Sequence, residues 1–125
     1  MAKKILIVDD EPDMLSVASF RLHKSGYEIL SATDGEAALK SIDCYMPDLI
    51  LLDLKLPLVS GYDICRHIKS SPKLKKIPVI IFTASVGIDL EEKMKELKAD
   101  DYLVKPFNAE IMLKKVEKFI GKGDL

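Results

Sequence analysis

The stretch ILIVDDEP, residues 5–12, joins a short buried segment directly to three carboxylates and a proline. Ile5–Val8 is a continuous apolar run, which is typical of a strand covered on both faces of a parallel sheet. Pro12 suits the first turn of a helix, because its missing N–H needs no partner there. The stretch therefore predicts a strand that passes through an acidic turn into a helix.

Four further segments have the character of short strands, and helical patterns lie between them. Ile50–Leu52 and Val79–Phe82 are buried runs, whereas Tyr27–Leu30 and Tyr102–Val104 are less apolar and fit the edges of a sheet. The order is therefore βα repeated five times. Each connection is long enough for a helical crossover, so we expect one α/β domain, a parallel sheet with helices on both faces.

Residues that favour helix ends support this division. Gly26 and Gly121 are expected to end the first and the last helix, and Asp34 is expected to cap the second. Pro12, at the start of the first helix, agrees with them.

The composition fits one packed domain and excludes several classes of function. The chain has 125 residues, and 48% of them are hydrophobic, which is enough for a packed core. The net charge of −1 gives no basic excess for nucleic-acid binding. The sequence has neither a membrane-spanning run nor a signal peptide, and Cys44 and Cys65 have no metal-ligand spacing. We expect a cytoplasmic protein that contacts neither nucleic acid nor membrane.

Polar residues follow the predicted strands at one end of the sheet. Asp9 and Asp10 follow the first strand, Asp53 the third, Thr83 the fourth and Lys105 the fifth. Ligands of such sheets bind beyond the carboxyl ends of the strands, where the strand order reverses. If the first and third strands are neighbours, the three aspartates converge, and Thr83 and Lys105 close the pocket.

Three carboxylates at one point repel each other, and one lysine does not neutralise them. Two unit charges about 4 Å apart cost roughly 4 kcal/mol at an effective dielectric constant near 20. Oxygen ligands that stay partly solvated suit Mg²⁺, and the lack of a nearby histidine or cysteine argues against zinc. A carboxylate, a hard cation, a lysine and a hydroxyl are the parts of a phosphoryl-transfer site.

The segments IVDDE, LILLDLKLPLVSG, FTAS and DYLVKPF, in this order, resemble the receiver domains of response regulators in two-component signalling. The resemblance covers essentially the whole chain. It implies a CheY-like, flavodoxin-like fold with strand order 2-1-3-4-5. It also implies a receiver domain over residues 1–125, with no output domain in this chain.

By this resemblance, Asp53 is the phosphoacceptor and part of a Mg²⁺ site. Asp10 would bind the ion directly together with Asp53, Asp9 would bind it through water, and the backbone carbonyl of Lys55 would complete the protein ligands. Pro57 and Gly61 would shape the loop after the acceptor.

Other residues are implied to contact the phosphoryl group or to form the switch. Lys105 and the backbone N–H of Ala84 would contact the phosphoryl oxygens, Thr83 would hydrogen-bond them, and Thr83 and Tyr102 would form the switch. The Lys105–Pro106 bond resembles one that is cis in the family.

Two further positions follow from the same comparison. Ser85, like Lys55, stands at a position that tunes hydrolysis in the family. Lys98 stands where a glycine often precedes the Ala-Asp pair, so we expect strain at the end of the fourth helix if this position needs a positive φ.

The implied function is phosphorylation-dependent signalling. The donor would be a phosphohistidine on a sensor histidine kinase or a phosphotransfer protein, and the domain would catalyse only its own phosphorylation and dephosphorylation. The face of the fourth helix, fifth strand and fifth helix would then signal to an effector protein or to a missing output domain, or form a homodimer. Asp100 and Asp101, with Lys93 and Lys115, could supply dimer ion pairs there, although solvated charge is the stronger expectation.

Three alternatives stay open at this point. A receiver-like binding module with weak or lost phosphorylation would have the same fold. An aspartate-nucleophile phosphatase would need an acid two residues after the nucleophile, where this chain has Lys55. A flavin-binding protein of this fold would need phosphate donors in the first loop, which is acidic here.

Overall fold

The computed structural model describes residues 2–84 and 90–124, in which strands and helices alternate along the chain. The strands are β1 (Lys4–Val8), β2 (Glu28–Ala32), β3 (Leu49–Asp53), β4 (Val79–Thr83) and β5 (Asp101–Val104). The helices are α1 (Pro12–Lys24), α2 (Gly35–Tyr45), α3 (Gly61–Ser70), α4 (Leu90–Leu97) and α5 (Ala109–Ile120). The predicted βα order is confirmed. Ser85 lies outside the described residues.

The five strands form one parallel sheet in the order β2-β1-β3-β4-β5. This order confirms the topology that the resemblance implied. It places β2 and β5 at the edges, as their less apolar sequences predicted. It also makes β1 and β3 neighbours, so the strand order reverses between them.

Successive residues of the central strands face two different cores. Ile5 and Ile7 pack with residues of α1 and α5, whereas Leu6 and Val8 pack with residues of α2, α3 and α4. All four side chains are fully buried. Helices that cover both faces explain the continuous apolar runs, and they leave the strand ends as the place for polar side chains.

The helix ends lie where the sequence predicted them. Pro12 begins α1, and the Asp34 side chain caps α2 by accepting the Ala37 N–H at 2.8 Å. Gly26 and Gly121 follow α1 and α5 with φ of 97° and 80°, a region that favours glycine. In the described part of the chain, no helix combines the length and apolar character needed to cross a membrane.

Two adjacent acids at the start of β5 form ion pairs within the domain. The Asp100 carboxylate accepts a hydrogen bond from Lys69 of α3 at 2.7 Å, and the Asp101 carboxylate accepts one from Lys115 of α5 at 2.8 Å. The expectation of solvated charge is therefore wrong for Asp101, which is only 16% exposed, whereas Asp100 stays exposed while it binds Lys69. Neighbouring strand residues point to opposite faces, so each acid meets a lysine from a different helix.

Lys98 adopts a left-handed backbone conformation directly after α4, with φ of 58°. The Lys98 N–H donates to the Lys95 carbonyl, and the Ala99 N–H donates to the Met94 carbonyl, both at 3.1 Å. These two bonds form a Schellman motif, in which glycine is the usual residue at the position of Lys98. The expected positive φ is confirmed, and for a side-chain-bearing residue it costs about 1–2 kcal/mol.

Lys98→Gly is expected to raise the free energy of unfolding by about 0.5–1 kcal/mol. Glycine removes the steric cost of the left-handed conformation, although its more flexible unfolded chain offsets part of this gain. Urea unfolding followed by circular dichroism measures the change.

Lys95→Gly, in the exposed interior of α4, is the matched control. It is expected to lower stability by about 1 kcal/mol, because glycine disfavours a helix interior. A Lys98→Gly variant less stable than the wild type would contradict the role assigned to this position.

Candidate functional site

Four carboxylates and one ammonium group come together at the carboxyl end of the sheet. Asp9, Asp10, Glu11 and Asp53 each place one carboxylate oxygen within 4.8 Å of the others. Lys105 Nζ donates to Asp9 Oδ2 at 2.7 Å, to Glu11 Oε1 at 3.2 Å and to Asp53 Oδ2 at 3.4 Å. The predicted convergence of acids from two parts of the chain, opposite a lysine from a third, is confirmed.

Strand register and local turns position the two buried aspartates. Val8, the last residue of β1, pairs with Leu52 of β3, so the next residues of the two segments, Asp9 and Asp53, emerge side by side. Asp9 Oδ1 accepts the Glu11 N–H at 2.9 Å, and Asp53 Oδ1 accepts the Lys55 N–H at 3.1 Å. Each carboxylate is thus held by its own loop, and its other oxygen faces Lys105.

Lys105 is positioned by an extension of the β4–β5 ladder. Its N–H donates to the Thr83 carbonyl at 2.7 Å, one residue beyond the end of β5. Its side chain is only 9% exposed. The Lys105–Pro106 bond is cis, as the resemblance implied.

The loop after Asp53 returns so closely that glycine is required at its end. A Cβ on Gly61 would lie 2.2 Å from the Asp53 carbonyl oxygen and 2.6 Å from Leu54 Cα. The Gly61 N–H also donates to the Leu54 carbonyl at 3.1 Å. The expectation that Gly61 shapes this loop is confirmed, because any side chain would displace the backbone of Asp53.

A cavity of about 330 Å³ opens over this cluster. Six predicted site residues line it, namely Asp10, Asp53, Lys55, Thr83, Ala84 and Lys105, together with Glu11, Leu54 and Tyr62. Asp9 has no exposed surface. Tyr102 does not line this cavity and instead lines a separate groove of about 490 Å³ beside β5 and α5.

Three lining residues received no role in the sequence analysis. Glu11 belongs to the acidic turn after β1, and its position in that run of three acids is the sequence feature that could have placed it at the site. Leu54 and Tyr62 carry no comparable pattern, because apolar and aromatic residues near a strand end most often serve packing. The structure brings both to the cavity through the loop that leads from β3 into α3.

The site holds several acidic groups that one lysine only partly neutralises. Burial raises the pKa of Asp53, and the Lys55 N–H and the Lys105 ammonium oppose this rise without cancelling it. Burial also disfavours the charged form of Lys105, but the hydrogen bond to Asp9 and the attraction of Asp53 and Asp9 outweigh it and raise the pKa of Lys105. Lys105 therefore stays charged at neutral pH.

The donor atoms of this cluster fit a hard divalent cation. The four clustered side chains offer carboxylate oxygens, and among the described residues that line the cavity there is neither histidine nor cysteine. Magnesium prefers such ligands and keeps several of its waters, for which the open cavity leaves room. One ammonium against four carboxylates gives the cation an electrostatic reason to bind.

The sequence matches the response regulator receiver domain family over residues 5–117. It is 34% identical over 125 residues to the alkaline phosphatase synthesis transcriptional regulatory protein PhoP of Bacillus subtilis (strain 168). It is 36% identical over 121 residues to the DNA-binding dual master transcriptional regulator RpaA of Synechocystis. These alignments cover 100% and 97% of this chain but 51% and 50% of the relatives, so the chain spans about half the length of the curated relatives it matches.

Solved structures with the same fold include the chemotaxis response regulator CheY4 of Vibrio cholerae. Its TM-score is 0.88 at 28% identity, over 95% of this chain and 99% of that chain. The receiver domain of a sensor histidine kinase from Pseudomonas aeruginosa PAO1, with a magnesium ion coordinated in its active site cleft, has a TM-score of 0.87 at 30% identity, over 97% of this chain and 99% of that one. With the family match, the strand order and the acidic cleft in agreement, this chain belongs to the response-regulator receiver domains of two-component systems.

Proposed function

We propose that the domain accepts a phosphoryl group on Asp53 in a Mg²⁺-dependent reaction and signals through the face built by α4, β5 and α5. The observation that carries this proposal is the cluster in which Asp53 and Lys105 approach to 3.4 Å among further carboxylates. The cluster combines a nucleophile, a cation to receive phosphoryl oxygens and oxygen ligands for a metal.

Asp53 is the carboxylate best placed to attack phosphorus. It lines the cavity, and its two oxygens are oriented by the Lys55 N–H and by Lys105. Asp9 is fully buried and is held by Lys105 at 2.7 Å, which leaves it without access to a donor. In the reaction an Asp53 oxygen bonds to phosphorus, and the donor group leaves with the electron pair of the broken bond.

Lys105, Thr83 and Ala84 are proposed to receive the transferred phosphoryl group. All three line the cavity, and the raised pKa of Lys105 keeps its ammonium charged. Positive charge and hydrogen-bond donors that are fixed before the reaction stabilise phosphoryl oxygens without reorganisation. Lys105 now neutralises Asp9 and Asp53, so phosphorylation would give it a more highly charged partner.

Asp10, Asp53 and the backbone carbonyl of Lys55 are proposed to hold Mg²⁺, with Asp9 acting through water. When bound, the ion offsets negative charge on the phosphoryl oxygens. Asp10, Asp53 and Lys55 all line the cavity, and Asp9 lies beneath it. Glu11, which also lines the cavity, adds to the negative field that favours the ion.

The donor is proposed to be a phosphohistidine on a sensor histidine kinase or a phosphotransfer protein, with small acyl phosphates as substitutes. Two curated relatives are transcriptional regulators, and one structural neighbour is the receiver domain of a sensor histidine kinase. These relatives support a signalling step in which the domain receives a phosphoryl group from a kinase and then acts on an effector protein or output domain. The domain would catalyse only its own phosphorylation and hydrolysis.

The signal is proposed to pass from Thr83 to Tyr102. Thr83 lines the cavity over Asp53, and Tyr102 lies on the neighbouring strand β5 beside a second groove. New phosphoryl oxygens would favour a Thr83 side chain turned towards them, and Tyr102 would move into the vacated space. The same change is also proposed to promote a homodimer through α4, β5 and α5.

Incubation with acetyl phosphate and Mg²⁺ is expected to add one phosphoryl group to the wild type and none to Asp53→Asn, because an amide oxygen is a poor nucleophile. Intact-protein mass spectrometry measures the product. Asp63→Asn, which changes an exposed acid of α3, is the control and is expected to be labelled like the wild type. Labelling of Asp53→Asn at the wild-type rate would refute the assignment of the phosphoacceptor.

Magnesium is expected to raise the melting temperature of the wild type in a concentration-dependent manner. A ligand that binds only the folded state stabilises it, by about 2.7 kcal/mol at 100 times its dissociation constant. Asp10→Asn is expected to need at least about tenfold more Mg²⁺ for the same shift, since even outer-shell partners contribute that much to metal affinity. Scanning calorimetry measures these shifts of the melting temperature. The control variant Asp13→Asn, which changes an exposed acid of α1, is expected to show the wild-type shift. An unchanged response in Asp10→Asn would remove Asp10 from the metal site.

Asp53→Asn is also expected to be more stable than the wild type at pH 7 without metal, by about 0.5–2 kcal/mol, as is common when a functional charge is removed. Because the pKa of Asp53 is raised above 3.8, its ionisation disfavours the folded state, and this cost grows as pH rises from 3.8 through the folded pKa. The difference should therefore shrink in acid. Urea unfolding measures it, with Asp43→Asn on the exposed side of α2 expected to stay within about 0.5 kcal/mol of the wild type. A less stable Asp53→Asn would contradict the proposed electrostatic cost.

A further inference from the structure

Tyr102 is held by two charged neighbours on the outer side of the sheet. Asp101 Oδ1 accepts hydrogen bonds from the Tyr102 N–H and from Lys115 Nζ, each at 2.8 Å. The same Lys115 ammonium lies 5.9 Å from the centroid of the Tyr102 ring. Asp101, Tyr102 and Lys115 thus form one connected group, which we call the β5–α5 clamp.

The clamp lies in a partly shielded environment. The side chains of Lys115 and Asp101 are 28% and 16% exposed, so their interactions are screened less than those of fully solvated charges. Tyr102 and Lys115 line the groove beside β5 and α5, and neither lines the cavity over Asp53. The Tyr102 ring therefore borders the groove beside α5 and not the cavity over Asp53.

Asp101 and Lys115 act on different parts of Tyr102. Asp101 binds the backbone N–H and anchors the ammonium, whereas Lys115 faces the ring itself. A cation–π contact depends on the position of the ring, so it would be lost if Tyr102 turned towards Thr83. The backbone hydrogen bond does not depend on the side-chain rotamer, so Lys115 is the member of the clamp that distinguishes the two ring positions.

We propose that Lys115, anchored by Asp101, is a positioning residue that holds Tyr102 outward and so sets how readily the unphosphorylated domain enters the active state. This inference rests on the proposed function, because it requires Tyr102 to respond to a phosphoryl group on Asp53. Loss of one cation–π contact shifts such an equilibrium by about two- to five-fold. A ligand that favours the inward ring then binds more tightly by the same factor.

The test uses beryllofluoride with Mg²⁺ as a stand-in for the phosphoryl group on Asp53. Fluorine NMR of fluorotyrosine-labelled protein follows the chain's four tyrosines, and Tyr102→Phe assigns the signal of Tyr102. In Lys115→Gln the Tyr102 signal of the ligand-free protein is expected to move towards its position in the beryllofluoride complex. The beryllofluoride concentration at half-saturation is expected to fall about two- to five-fold.

Two matched variants test charge and position. Lys114→Gln, an exposed neighbour on α5, is expected to leave both measurements unchanged, and Lys115→Arg is expected to stay close to the wild type because it keeps a cation that can face the ring. In a Tyr102→Leu background, Lys115→Gln is expected to have no effect on half-saturation measured by calorimetry.

Three outcomes would overturn the inference. The first two are an unchanged Tyr102 signal and an unchanged beryllofluoride concentration at half-saturation in Lys115→Gln. The third is the same decrease of that concentration in the Tyr102→Leu background, because it would show that the ion pair of Lys115 and Asp101 acts without Tyr102. Failure of the wild type to bind beryllofluoride would instead count against the proposed function. In that case, a Tyr102 signal that shifts in Lys115→Gln and not in Lys114→Gln still shows that Lys115 positions the ring, and an unshifted signal still overturns the inference.

Discussion

The contact of one lysine with several carboxylates is the interaction on which the rest of the site depends. Lys105 reaches Asp9 at 2.7 Å and Asp53 at 3.4 Å from the end of a different strand. A single ammonium holds these acids together but leaves most of their charge unbalanced. That imbalance favours a cation in the cleft, as proposed for Mg²⁺, and the ammonium is the group proposed to contact an incoming phosphoryl group.

The fold tolerates this charge because it confines it to the strand ends. The central strands are buried on both faces by helices, and alternate side chains fill two separate cores. Gly61 allows the loop after Asp53 to close tightly over the strand end. Charge that would be costly inside the sheet is thus confined to the edge where ligands of such sheets bind.

Much of this arrangement could be predicted from the sequence, and the remainder has a physical cause. The positions of Asp9, Asp53 and Lys105 follow from buried runs whose ends must align in a parallel sheet. The sequence suggested ion pairs of Asp100 and Asp101 only between two copies, and their pairs within the domain were not predicted, because these depend on which helix packs over each face and on how far its lysine reaches. The position of Tyr102 beside the groove of β5 and α5 was likewise not predictable from the sequence pattern, since it depends on contacts such as the one with Lys115.

We propose that the acids that follow β1 and end β3 share one metal-dependent cleft opposite Lys105. Soaking a crystal of the domain in manganese, an anomalous scatterer that takes the same oxygen ligands as magnesium, tests for this shared site. We expect one strong anomalous peak among the carboxylates of Asp10 and Asp53 and the backbone carbonyl of Lys55. After a complete soak, the absence of a peak at these ligands, or a single peak elsewhere on the surface, would refute the shared metal site.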